Sequence, residues 1–199
     1  GAAPGVASIA QDAYTTLEEP SAIEVQAAEA AIASATNPAG AFFFPRQWHM
    51  QAISAPQAWA GGKLGPPTVK VGILDTGIDY VSPDLAGRVD LVNSRSFLSA
   101  AENQRVQDNF PGAHEIADLH YHGTHVASTV VSNGIVNAGV TSGVQVVGLK
   151  VCAPGFPNAN PNLAWRGTCP TRGTLPAILY AADIGLPIIN MSLGGRFNR

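Results

Sequence analysis

Three stretches of the chain, "TVKVGILD" (68–75), "VQVVGLKV" (144–151) and "LPIINMSL" (186–193), are almost continuously apolar and rich in β-branched residues. A strand with one face in water alternates apolar and polar positions. These do not alternate, so both of their faces are buried, the pattern of parallel strands covered on two sides. Parallel neighbours cannot be joined by a tight turn and need a crossover. The sequence supplies two with helical character, "HGTHVASTVVS" (122–132) and "TLPAILYAADIG" (174–185), the second stopping at Gly185. The order strand, helix, strand, helix, strand predicts an α/β fold, a parallel sheet flanked by helices.

Composition narrows the class. Over 199 residues, 46% are apolar and only 13% charged, which is a globular balance and not that of a disordered chain. The net charge is -3 and the lysines are Lys63, Lys70 and Lys150 alone, so no basic stripe for nucleic acid is present. No apolar run reaches the length of a membrane span. The length suits one domain, or one domain and an arm. Residues 1–40 read as that arm, or as the remnant of a pro-segment: they are rich in Ala, Ser and Glu and show no strand-like run. Within them a helix is predicted near 21–36, with Ser21 and Glu24 as a capping box and Asn37-Pro38 as its stop. Residues 41–199 carry aromatic anchors first (Phe42, Phe43, Phe44, Trp48, Trp59) and then the sheet. Two long loops, 81–119 and 152–172, lie where the loops of parallel sheets shape ligand sites. Cys152 and Cys169 bracket the second loop. They read either as a disulfide, implying an oxidising compartment, or as two free thiols.

Two local patterns carry chemistry. In "KVGILDTGIDY" (70–80) a buried run ends on Asp75, followed by Thr76-Gly77. A carboxylate at the end of a buried strand suits an aspartic protease, the acid of a serine-protease triad, a nucleotide-binding sheet, or a plain turn in which the acid accepts backbone bonds. "HYHGTHVAST" (120–129) holds His120, His122 and His125. The H-x-H-x-x-H spacing is near a zinc motif of the metallo-β-lactamase fold, which makes a zinc hydrolase one reading, although Thr124 stands where that motif has Asp. The second reading is a histidine facing a carboxylate that fixes its tautomer and stabilises the imidazolium. The third is a helix start with solvated histidines.

Taken together, "ILDTGID", "HGTHVA" and "IINMSLGG" (188–195) resemble the subtilisin-like serine proteases, the subtilases. A weaker likeness begins at "QWHMQAISAPQAWA", so the resemblance covers about residues 45–197 and leaves the arm outside. It implies that His122 is a general base, that Asp75 orients it, and that Ser192, Leu193, Gly194 and Gly195 line a cleft for a polypeptide substrate, with the 153–172 loop opposite. His125 becomes a structural residue. The expectation is a secreted or otherwise exported protein; if it is exported, its signal has already gone before Gly1. "SPDL" resembles a segment in which an Asp, here Asp84, ligates a structural calcium, with a shortened partner loop at "SNGIVNAGV" (132–140).

The chain also departs from the family pattern. Ser128 stands where many members have Gly. The nucleophile motif, Gly-Thr-Ser-x-Ala, is absent, and so is the asparagine that serves the oxyanion; Asn190 is not its equivalent. The 199 residues correspond to the N-terminal half of a catalytic domain. The expectation is a nicked enzyme, cut near Arg199, with a second chain carrying the serine and the oxyanion asparagine. The other readings are an arbitrary boundary and a non-catalytic binding or scaffold protein.

Overall fold

In a computed structural model, the described residues are 14–16, 37–154 and 167–194. The helix predicted near 21–36 and Gly195 lie outside them. The elements are β1 (Tyr14–Thr16), α1 (Trp48–Ala52), α2 (Ala55–Ala60), β2 (Lys70–Asp75), β3 (Arg95–Ser96), α3 (Ala100–Asn109), α4 (His122–Val130), β4 (Gln145–Lys150), β5 (Ala153–Pro154), β6 (Gly167–Pro170), α5 (Thr171–Asp183) and β7 (Ile188–Asn190).

The three apolar runs become β2, β4 and β7 of one parallel sheet, in the order β3-β4-β2-β7. Both faces of its centre are buried, as continuous hydrophobicity requires. Leu74, Val147 and Leu149 point to one side, where Ala177 and Ala181 of α5 cover them. Val71, Ile73 and Val146 point to the other, against Ala127 of α4 and Ile78, Leu85 and Ile116 of the loops. Alternate residues of a strand face opposite ways, so one apolar run fills two cores. A third, smaller cluster joins the segment before the sheet to the loop after α4. Trp59 and Met50 pack on Ala138, and the Trp59 indole N–H donates to the Val140 carbonyl at 2.9 Å.

The structure departs from the sequence expectations in several places. Trp48 is not an anchor: it is 76% exposed, and Met50, two residues on, takes the buried position. The 81–119 stretch is not all loop. It contains α3, started by a capping box in which the Ser99 hydroxyl accepts the Glu102 N–H and the Glu102 carboxylate accepts the Ser99 N–H. Tyr14–Thr16, in the segment read as lacking strands, pairs antiparallel with β6, and β6 pairs with β5 to complete a small second sheet, β1-β6-β5. Cys152 and Cys169 form a disulfide beside that hairpin.

Candidate active site

Asp75 is the last residue of β2 and is 1% exposed. A buried carboxylate needs partners, and it has them. Its Oδ1 accepts the Thr76 N–H at 2.7 Å, and both oxygens accept from His122 Nδ1, at 2.8 and 3.0 Å. The Asp75 backbone carbonyl accepts the N–H groups of Val151 and Cys152, which ties the strand end to the disulfide hairpin. His122 is the first residue of α4.

Two glycines make the approach of these elements possible. A Cβ on Gly123 would overlap the Gly77 carbonyl oxygen, and Gly77 itself has φ +119°, a conformation that favours glycine. The helix start therefore sits directly on the turn that follows Asp75. The Thr76 hydroxyl oxygen accepts the Gly123 N–H at 2.9 Å and meets one of the donors left open at a helix N-terminus.

The hydrogen bond that His122 donates to Asp75 holds the imidazole above the ordinary histidine pKa. Burial opposes this, and the charges of Asp75 and Asp118 add to it. With Nδ1–H donated to Asp75, the neutral ring carries its basic lone pair on Nε2, the arrangement that a general base requires.

The segment after β7 reaches the same edge of the sheet. Ile73 of β2 lies opposite Asn190, so Ser192 stands two residues past the last paired position of β7, as Asp75 stands two past Ile73. Ser192 and Gly194 are exposed, while Leu193 packs into the cluster that holds the disulfide. The Asn190 side-chain amide donates to the Ser192 hydroxyl at 2.9 Å. The carboxyl ends of parallel strands thus gather Asp75, His122 and the 192–194 segment, where open α/β sheets place their ligands.

The other site expectations fare differently. The three-histidine zinc grouping does not assemble. His122 Nδ1 is engaged by Asp75, the His120 ring stacks on Tyr121 with centroids 4.4 Å apart, and His125 is exposed. Among the described residues no group of three or more His, Cys, Asp and Glu side chains is placed to hold a metal ion.

Asp84 meets the predicted partner loop, but with the wrong polarity for calcium. A calcium site presents oxygens to the ion. Here the loop presents backbone N–H groups to the carboxylate: Ile135 to Oδ1 at 2.7 Å, Val136 to both oxygens and Asn137 to Oδ2 at 3.0 Å. The side chain is 3% exposed and works as the loop's anchor. The surroundings do not fit the cation. Asp84→Ala should cost about 2 kcal/mol, because it strands the donors of that loop. Thermal unfolding of the complete protein checks this: the variant melts lower, and a chelator leaves the wild-type midpoint in place. A chelator that lowered the wild-type midpoint as far as the substitution does would restore the calcium reading.

Sequence reasoning missed Asp118, Thr124 and Lys150, all of which touch this region. Asp118 Oδ2 accepts both the backbone N–H and the hydroxyl of Thr124, at 3.1 and 2.6 Å. Lys150, 1% exposed at the end of β4, lies opposite Asp75 in the ladder and donates to the Ala117 carbonyl at 2.6 Å. An acid six residues ahead of the position it caps has no local signature.

A sequence model described as the subtilase family matches residues 67–199. Among similar proteins, the major intracellular serine protease of Bacillus subtilis is 33% identical over 149 residues, which are 73% of this chain and 40% of that protein. Thermitase of Thermoactinomyces vulgaris is 32% identical over 159 residues, 77% of this chain and 47% of that one. The chain thus spans less than half the length of these relatives. The crystal structure of the nisin leader peptidase NisP from Lactococcus lactis is similar in fold, with a TM-score of 0.50 and 23% identity over 75% of this chain and 38% of that one. The chain belongs to the subtilase family.

Proposed function

We propose that this chain supplies the acid and base of a serine endopeptidase. The observation that carries the reading is the contact between Asp75 and His122, made from a strand end to a helix start; a carboxylate facing Nδ1 selects the tautomer that leaves Nε2 basic. In this reading Nε2 removes the proton from a serine hydroxyl as its oxygen attacks the scissile carbonyl. Asp75 steadies the imidazolium that forms, and the same proton passes to the leaving amine. An acyl-enzyme remains, and water, deprotonated by His122, releases it. The serine and the oxyanion asparagine come from a second polypeptide.

The substrate is an extended polypeptide. Its main chain pairs with the segment of Ser192, Leu193, Gly194 and Gly195, and the exposure of Ser192 and Gly194 supports this. Residues 41–199 form the N-terminal part of the catalytic domain, and residues 1–40 an arm. The disulfide supports an exported protein.

The test is denaturing mass spectrometry of the complete protein after treatment with a fluorophosphonate. An adduct on a polypeptide other than this chain is the expected result. An adduct on one polypeptide that includes these residues keeps the protease reading and overturns the second chain. No adduct at all overturns the protease reading in favour of a binding or scaffold protein.

A further inference from the structure

The first turn of α4 carries His122, yet Tyr121, which precedes it, does not cap it with its side chain. Support comes from farther away. Asp118 spans the histidine: Oδ1 accepts the His120 N–H at 2.9 Å, two residues before it, and Oδ2 accepts the Thr124 N–H and hydroxyl, two residues after it. The Thr124 oxygen in turn accepts the Asp79 N–H at 2.9 Å, on the segment that leaves Asp75. The backbone next to Asp118 is fixed as well. Ile116 O accepts the Ile78 N–H at 2.9 Å, and Ala117 O accepts the buried Lys150 ammonium. The bonds close a ring: Asp75, its turn, Thr124, Asp118, Ala117, Lys150, and back to Asp75 across the β2–β4 ladder.

We propose that Asp118 is a positioning residue for the proton-transfer site, clamping the first turn of α4 so that the His122 ring meets Asp75, and that Lys150 holds Asp118 in place through the Ala117 carbonyl. The proposal rests on the serine-protease reading for its kinetic consequence alone; its geometric consequence stands without it. A carboxylate does two things here that a neutral cap does not. It accepts on both of its oxygens, from His120 on one and from Thr124 on the other, and it places a second negative charge near the imidazole. The titratable groups around His122 are Asp75 from β2, Asp118 and His120 from the preceding loop and His125 one turn on, and both carboxylates favour the protonated ring. Burial, and next to it the charge of Arg105, brings the Lys150 pKa down to about 8, while Asp118, Glu115 and Glu102 favour the charged form, an ammonium able to hold the carbonyl.

The experiment compares Asp118→Asn, Asp118→Ala and Lys150→Met in the complete protein. It reads kcat and KM against pH, and the His122 midpoint by NMR titration of the imidazole. Asp118→Ala and Lys150→Met are expected to lower kcat about tenfold through a misplaced base, with KM changed by no more than about twofold. Asp118→Asn keeps an acceptor oxygen for Thr124 but no charge. It recovers most of the rate while the His122 midpoint and the acid limb of kcat/KM move to lower pH. Asp118→Asn also keeps the test open if the alanine variant fails to fold. Variants that melt lower but keep the wild-type kcat and His122 midpoint overturn the proposal, since that is what a purely structural residue would do. If the wild type neither turns over peptide nor takes up a phosphonate, the protease reading has failed. The imidazole titration then decides on Asp118 by itself: an unchanged midpoint in Asp118→Asn rejects it, and a lowered one supports it.

Discussion

Replacing His122 by alanine in the complete protein should lower kcat for peptide hydrolysis by about 10⁶-fold, the cost seen when a serine protease of this kind loses its base. Folding should weaken by no more than about 1–3 kcal/mol, the cost of the hydrogen bonds that the buried Asp75 loses. The His122 side chain is half-buried at a helix start, and alanine is a good helix former. Removing it does leave Asp75 buried without its ring partner, although the Thr76 N–H still bonds the carboxylate. The cost therefore falls on the chemical step: no group remains to take the serine proton, and KM should hardly move. Steady-state kinetics on a peptide ester and a peptide amide provide the check. A loss below about 100-fold would mean that the proton leaves by another route and that the contact with Asp75 is not the working pair.

Asp75→Asn should lower kcat by about 10⁴-fold, less than the loss of the base, since Nε2 stays in the molecule. An asparagine has nearly the shape of the aspartate, but it can present an N–H to Nδ1 and so favour the wrong tautomer. It also removes the largest cause of the raised His122 pKa. The sign follows from that direction. The wild-type base must shed its proton to act, so its kcat/KM should rise through a pH above the ordinary histidine value. In Asp75→Asn the remaining rate should rise at lower pH, toward or below about 6.5. The same interaction makes a contribution to stability that is full below the unfolded-state histidine pKa and is lost as pH rises through the folded-state one. Asp75→Asn should therefore destabilise the protein more at pH 6 than at pH 9. Denaturant melts at the two pH values measure this, and a difference of opposite sign would show that the bond to Asp75 does not govern the titration of His122.

Much of this architecture was legible because the residues that matter most obey local rules. The strands β2 and β4 could be read from unbroken apolar runs, and Asp75 drew notice because an acid breaks such a run at its end. His122 lies in a motif next to a helix start, so its partner could be named before any coordinates. What escaped was non-local. Asp118, Thr124 and Lys150 converge from a loop, a helix and a strand end, and no spacing links them. The strand Tyr14–Thr16 is made of β-favouring residues, but three of them are too few to read as a strand without β6, which follows by about 150 positions in the chain. The capping box at Ser99 and Glu102 was readable, but the long polar stretch around it obscured the helix it begins. Asp84 shows the opposite failing: the loop it meets was placed correctly, yet sequence does not tell whether a loop turns its N–H or its C=O groups toward an acid.

The strand order has a consequence for how the chain is made. β2 is the first strand of the large sheet to leave the ribosome, but it occupies an inner position between two later strands. Its Lys70 edge must wait for Gln145, and its Val71 edge for Ile188. Synthesis runs at about 5–20 residues per second. The strand that ends in Asp75 therefore stays for several seconds as an apolar ribbon with both hydrogen-bonding edges open, the state most prone to pairing with other chains. Parallel closure over such distances is also slow by its topology. The residue that anchors the base is thus set in place late, by the two strands that close over it.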